Sequence, residues 1–180
     1  MNIKEFNLQD KELLLDILLN NEWEFHSASK LTKKEIEHRI QSGYYTKDES
    51  KTFLIFNNKN QAIGFFRLFD LGKDKSDSET PLFDIRIRKE GRNEGIGKQA
   101  VNWLTNYIFS NYPNKNRIEA TTRHDNIAMR KVLQQCGYLK EAHYRQSWPT
   151  QNKTKADTIG YGILRHDWEN NTLTPVNWNE

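Results

Sequence analysis

One cysteine, Cys136, is too few for an intrachain disulfide or a thiolate metal cluster, so a fold of these 180 residues has no such staple to rely on. A reducing compartment is the simplest home for such a sequence, which we read as cytoplasmic. Long apolar runs are missing as well. Asp10, Glu12 and Asp16 interrupt the early leucines, leaving neither a membrane span nor a basic-then-apolar leader. Charge of one sign is scarce: 27 basic residues face 24 acidic ones, and a net of +3 is too small to argue for nucleic acid. No internal repeat or low-complexity tract occurs. What remains, 36% hydrophobic, 12% aromatic and 28% charged, is the composition of one soluble globular domain, expected over residues 1–168 with a tail at 169–180.

The stretch from Leu82 to Asn111 carries the clearest pattern. Phe83, Ile85 and Ile87 alternate with Asp84, Arg86 and Arg88, the period of a half-buried strand. A polar turn with three glycines follows, Glu90 to Gly97, containing Arg92-x-x-Gly95-x-Gly97. The period then changes, because Ile96, Ala100, Leu104 and Tyr107 or Ile108 fall on one helical face that ends near Pro113. A strand, a glycine turn and a helix start make a phosphate-binding geometry: first-turn N–H groups point outward, and glycines let the backbone approach an anion. Glycine spacing alone leaves a plain tight turn equally open.

Asp10 is expected to cap a helix with an apolar stripe of Leu13, Leu14, Ile17 and Leu18. The next segment, Asn21 to Ser27, packs Glu22, Trp23, Glu24, Phe25 and His26 together, which reads either as cover for the helix end or as a pocket wall for a cationic substrate. Charge distribution leans the same way: Met1 to His26 holds two lysines against six acidic residues, and Asp84 to Lys98 holds five basic against three acidic. Thr32-x-x-Glu35 is a capping box for a second helix. Thr52–Phe56 and Ala62–Phe69 form a hairpin across Asn57 to Asn60, and Gly72 to Thr80 is expected to be a mobile polar loop. Arg117–Thr122 is a strand, a helix starts at Asp125 or Asn126 and stops at Gly137, and strands follow at Lys140–Trp148 and Thr158–Leu164. Gly160 and Gly162 suggest close packing on one face of the last. The order predicts an α/β fold, a mixed, largely antiparallel central sheet flanked by helices. A nicotinamide-type Rossmann domain is disfavoured, because its G-x-G-x-x-G fingerprint is missing.

Two motifs then act together. Arg92-Asn93-Glu94-Gly95-Ile96-Gly97 and the helix from Asn126 to Tyr138, with Asn126, Val132, Leu133, Gly137 and Tyr138 in register, resemble the GNAT superfamily of acyl-CoA N-acetyltransferases, in particular members similar to ribosomal-protein N-acetyltransferases. The resemblance implies acetyl-CoA as co-substrate and no metal. It implies backbone contacts of Ile85 and Ile87 to the pantetheine arm, and a pyrophosphate held by Arg92, Asn93, Glu94, Gly95, Ile96 and Gly97. Lys98 would stand near the same phosphates, and Asn126 would bond the cofactor arm. A strand amide would polarise the thioester carbonyl.

The implied reaction is direct attack of an amine on the thioester, which needs a base for the ammonium and a proton for the departing sulfur. The family's usual acid positions hold Leu133 and Met129 here, so no acid carries over; Tyr138 and Tyr144 are the nearby phenols, and Cys136 is read as packing. For the base, Glu22 with His26 comes first, then Glu119, then His124. Glu141 to Pro149, rich in His, Tyr, Arg and Trp, reads either as an opposite pocket wall or as a strand with one aromatic face buried. The expected partner is an amine acceptor, small molecule or protein amino terminus, with no nucleic acid or membrane; a homodimer stays open. Two rivals remain, a silent CoA-binding sensor and a nucleotide-binding protein, although no Gly-Lys-Ser/Thr follows the turn.

Overall fold

Among the described residues of a computed structural model, seven strands fall into two antiparallel sheets that meet at one seam. The structure describes residues 1–47, 49–72, 80–150 and 154–178. Most of the loop expected from Gly72 to Thr80 lies outside them. The first sheet has the order β1 (Asn2–Glu5), β2 (Lys51–Phe56), β3 (Ala62–Phe69), β4 (Leu82–Ile87). The second has the order β5 (Arg117–Arg123), β7 (Lys155–Leu164), β6 (Leu139–Pro149). Helices α1 (Lys11–Leu19) and α2 (Lys33–Gln41) precede β2, and α3 (Ile96–Asn111) links β4 to β5. Helix α4 (Ile127–Gln135) links β5 to β6, and α5 (Arg165–Asn170) closes the fold.

Helices lie on both faces, which gives two cores. On one face α3 buries Ala100, Leu104 and Ile108 against Phe66 and Leu68 of β3 and Ile118 and Tyr161 of the second sheet. On the other, α1 and α2 bury Leu14, Ile17 and Ile36 against Leu54 and Phe65. Strands β2 and β3 are therefore covered on both sides and read as nearly continuous apolar runs.

The expected α/β architecture holds, with local corrections. Asp10 makes no side-chain cap to α1; it closes a capping box with Asn7 around a short 3-10 turn and pairs with Lys4. Leu13 is 37% exposed, and Leu15 takes its place in the buried stripe. The Thr32 capping box forms as expected. Strand β1 and helix α5 carry too few apolar residues to show in the sequence; β1 is an edge strand recognisable only through its pairing with β2. Gly162 answers the close-packing expectation: a Cβ there would lie 2.5 Å from a Glu141 carboxylate oxygen and 2.6 Å from Arg117. Only glycine lets that ion pair cross the strand.

Candidate active site

At the seam, β4 and β5 touch at their beginnings, where the Glu119 N–H donates to the Pro81 carbonyl at 2.9 Å, and then part into separate sheets. Parity shows which groups border the gap. Arg88 donates its N–H to Ile63 of the β3 side at 2.8 Å, so the even-numbered residues of β4 bond to β3 and the odd-numbered ones turn outward. Ile85 and Ile87 thus direct their backbone groups into the gap. Their carbonyls are met there by side chains: Ile85 by His26 Nε2 at 3.1 Å, Ile87 by Arg92 Nε at 3.0 Å.

Beyond β4 the chain makes a 3-10 turn, Lys89–Gly91, and enters α3 through two left-handed residues, Asn93 (φ 64°) and Gly95 (φ 75°). Gly95 provides no side-chain cap, which leaves the first-turn N–H groups of Ile96, Gly97 and Lys98 aimed outward with the helix dipole behind them. Arg92, Asn93, Glu94, Gly95 and Lys98 are exposed around this cradle, whereas Ile96 is a core residue. Across the gap, Asn126 caps α4: its Oδ1 accepts from the Met129 N–H at 3.2 Å and its Nδ2 donates to Thr122 Oγ1 at 3.1 Å.

The segment from Glu22 to Ala28 crosses the gap and is stapled to both strands by its carbonyls. Arg92 donates to the Glu22 carbonyl (3.4 Å), Arg123 of β5 to that of Glu24 (3.0 Å), and Arg86 of β4 to that of Ala28 (3.2 Å). Trp23 anchors the segment in the second core, with its indole N–H on the Leu18 carbonyl at 3.2 Å. Glu22 and Glu24 are exposed, and neither borders the pocket described below. Glu22 borders an adjoining pocket with Lys89 and Arg92, and the segment meets both strands through its backbone, with Arg86, Arg92 and Arg123 around it.

His26 is the one titratable side chain of that segment turned onto β4. Its Nε2 lies 3.1 Å from the Ile85 carbonyl and 3.1 Å from Asp84 Oδ1, both acceptors, so Nε2 carries the proton. Nδ1 is buried without a hydrogen-bond partner. Burial alone would raise the Asp84 carboxyl, but the Arg86 guanidinium and His26 outweigh it and hold the group well below the usual carboxylate range. Asp84 is therefore an ionised partner for the imidazole.

A pocket of about 360 Å³ runs through the gap. Arg67, Asp84 and Arg86 form its sheet side, Phe25, Tyr44 and Trp148 rise around it, and Thr122, Asn126 and Met129 stand opposite. Of the fragment Glu141 to Pro149, Trp148 reaches this pocket. Tyr144 does not: it is 55% exposed on β6. Glu119 lies with Arg117 and Glu141 on the outer face of the second sheet, 2.8 Å from Arg117, and is absent from the pocket wall. His124 is exposed beyond β5. Tyr138 is buried with its hydroxyl 2.8 Å from Thr105 Oγ1, and burial pushes its phenol far up, which removes it as an acid. Burial also pushes the Cys136 thiol up to about 11, consistent with packing. The sequence reading missed Asp84, Tyr44, Arg39 and Arg67. A polar residue in the strand before the glycine turn was the available signal for Asp84; nothing local marks the others.

A sequence profile described as Acetyltransferase (GNAT) domain matches residues 1–139. No curated protein matches the chain. Among solved structures, a chimera of Vibrio cholerae spermidine N-acetyltransferase SpeG with hSSAT superposes with a TM-score of 0.77 at 18% identity, covering 94% of this chain and 99% of that one. The Vibrio cholerae spermidine N-acetyltransferase in complex with CoA and spermine gives 0.77 at 16% identity, covering 93% and 97%. A protein described as a probable acetyltransferase gives 0.73 at 20% identity, covering 92% and 93%. Among the described residues no group of three or more His, Cys, Asp or Glu is placed to hold a metal, and no helix is long and apolar enough to cross a membrane.

Proposed function

This chain belongs to the GNAT acetyltransferase family, and we propose that its β4/β5 gap carries acetyl transfer from acetyl-CoA to a primary amine. The observation that carries this placement is the outward-facing edge of Ile85 and Ile87, which leads to an uncapped helix start at Gly95. Acetyl-CoA, when bound, supplies an acetyl thioester. The chain's own groups supply position and charge. Backbone N–H groups along Arg92, Asn93, Glu94, Gly95, Ile96 and Gly97 hold the pyrophosphate, with Lys98 adding positive charge. The edge groups of Ile85 and Ile87 pair with the amide arm, and Asn126 fixes the opposite wall. A β4 N–H facing the gap stabilises negative charge on the thioester oxygen.

His26 is the proposed base, oriented by Asp84. With Nε2–H bound to the carboxylate, Nδ1 is the free lone pair that takes the amine proton, and Asp84 stabilises the resulting imidazolium. Two demands meet here: the Ile85 carbonyl must be released for the arm, and Nδ1 must be uncovered for the proton. One shift of the Glu22–Ala28 segment meets both. Glu22, Glu119 and Tyr144 are not assigned a proton, because none borders the pocket. An amine acceptor draws support from the solved neighbours, which are spermidine N-acetyltransferases. The Asn126 helix motif supports a place near the ribosomal-protein N-acetyltransferase-like branch, and the lone cysteine supports a cytoplasmic setting.

The test compares thermal stabilisation by CoA, acetyl-CoA and ATP, followed by free-thiol release across an amine panel. Ligand at about a hundred times its Kd adds ~2.7 kcal/mol, so a CoA-specific shift is expected. No response to either CoA species rejects the gap as the cofactor site. A CoA shift with thiol release from no amine favours the sensor reading.

A further inference from the structure

Arg39 of α2 and Arg67 of β3 converge on one ring: their guanidinium carbons lie 5.2 and 3.9 Å from the centroid of Tyr44. Arg67 also lies over Phe69 at 4.9 Å and donates from Nε to the Tyr44 carbonyl at 2.9 Å. All four residues border the pocket that passes through the β4/β5 gap. Among the described residues, its wall holds three arginines and one carboxylate, Asp84. Arg86 and Asp84 pair with each other at 3.2 Å, and Asp84 also faces His26. Neither Arg39 nor Arg67 pairs with a carboxylate among the described residues. Two like charges gathered on one phenol, with no carboxylate at ion-pair distance among the described residues, form a site that favours an anion and disfavours a polycation.

Position gives the charge its meaning. In the β3/β4 register Arg67 stands opposite Asp84, and it shares the sheet face of Phe65, the face covered by α1 and α2. The pyrophosphate cradle and Asn126 reach the gap from α3 and α4. The pocket therefore has a cofactor side and, past His26 and Asp84, a second side lined by the two arginines.

Resting on the acetyltransferase reading above, we infer that the acceptor is a small primary amine that also bears a carboxylate, with the carboxylate held by Arg67 and Arg39 and the amine directed at the gap. Arg67 is anchored through Nε on the Tyr44 carbonyl, and a guanidinium so held can offer its terminal nitrogens to a carboxylate as a fork. Phe25, Tyr44, Phe69 and Trp148 supply apolar walls for the acceptor's carbon body, and about 360 Å³ sets a small-molecule scale. In the step, the amine nitrogen bonds to the acetyl carbon as the carbon–sulfur bond breaks. The amine proton passes to His26 and ends on sulfur. The products are an N-acetylated amino carboxylate and CoA thiol.

The test uses the full chain with acetyl-CoA and follows free thiol. Three acceptor sets are compared: amino carboxylates with the amine at different distances from the acid, the same molecules as carboxamides, and the polyamines spermidine and spermine. We expect the best amino carboxylate to exceed its carboxamide by about 100-fold in kcat/KM, as loss of a charge-assisted fork requires. Arg67→Met should raise KM for that acceptor roughly 30-fold with a smaller change in kcat, Arg67→Lys should recover part of the loss, and the CoA thermal shift should stay. A CoA shift with equal use of carboxamides, with preferred use of polyamines, or with no amino carboxylate turned over overturns this inference and leaves the cofactor site standing. Absence of the CoA shift overturns the gap reading itself.

Discussion

His26 and Ile85 share one contact that closes the candidate site: the imidazole Nε2 lies 3.1 Å from the strand carbonyl, while its other neighbour is Asp84 Oδ1 at 3.1 Å. A single ring nitrogen thereby ties the crossing segment to the edge of β4 and to its carboxylate. Replacing the ring should separate the two roles. His26→Ala is expected to lower kcat by about a hundredfold, the scale of a lost proton acceptor, while CoA binding holds or tightens because the Ile85 carbonyl is freed. Steady-state kinetics beside a CoA titration checks this; parallel loss of both would make His26 a structural staple only.

Asp84 links the same site to stability. Its carboxyl is depressed in the folded chain, so its stabilising contribution is present above the unfolded value near about 4 and is lost as pH falls through the folded value. Asp84→Asn, which leaves Arg86 without its counter-charge, should cost about 3 kcal/mol at pH 7. The difference from the parent chain should begin to shrink below about pH 4. Urea unfolding at both pH values measures it, and a constant difference contradicts the assignment.

Gly95 enters α3 at φ 75°, where a β-branched residue is strained by roughly 1–2 kcal/mol and intrudes on the phosphate cradle. Gly95→Val should abolish most of the CoA-dependent rise in Tm while lowering the unliganded Tm by only a few degrees. A retained CoA shift would place the pyrophosphate elsewhere.

Gly162 lies beneath the Arg117–Glu141 ion pair, whose shortest contact is 2.6 Å. Gly162→Ala leaves no room for that pair on the strand and should destabilise the chain by about 2–4 kcal/mol, most of it recovered in the Glu141→Ala background. Additive losses in the double-mutant cycle would deny the close approach.

Cys136 offers a check on the packing of α4 against α3. With the thiol held near 11 and its Sγ 3.6 Å from the Lys98 carbonyl, native alkylation at pH 8 should run on the order of a hundredfold slower than in urea, because so little thiolate is present. Fast native labelling contradicts that burial.

What the sequence made legible was local. The β4 alternation, the glycine turn and the α3 stripe lie within thirty consecutive residues, and the Asn126 cap is announced by its own helix. The Thr32 capping box was readable for the same reason. The pocket was not, because its charge is assembled by register: Arg67 meets Asp84 only through the β3/β4 pairing, and Arg39 arrives from α2, the helix layer that covers the same face. Composition near the amino terminus did not show how the segment meets the strands, since Glu22 and Glu24 are exposed and offer their carbonyls to Arg92 and Arg123. Glu119 shows the same limit. Alternation with Ile118 and Ala120 placed it on the opposite face correctly, but which face of β5 borders the gap depends on the seam.

A crystal structure of the CoA complex tests the central claim most directly. The account predicts the pyrophosphate on the N–H groups between Arg92 and Gly97, the arm paired to the backbone of Ile85 and Ile87, and His26 displaced from the Ile85 carbonyl. CoA seated elsewhere, or bound with the His26–Ile85 contact intact, would contradict it.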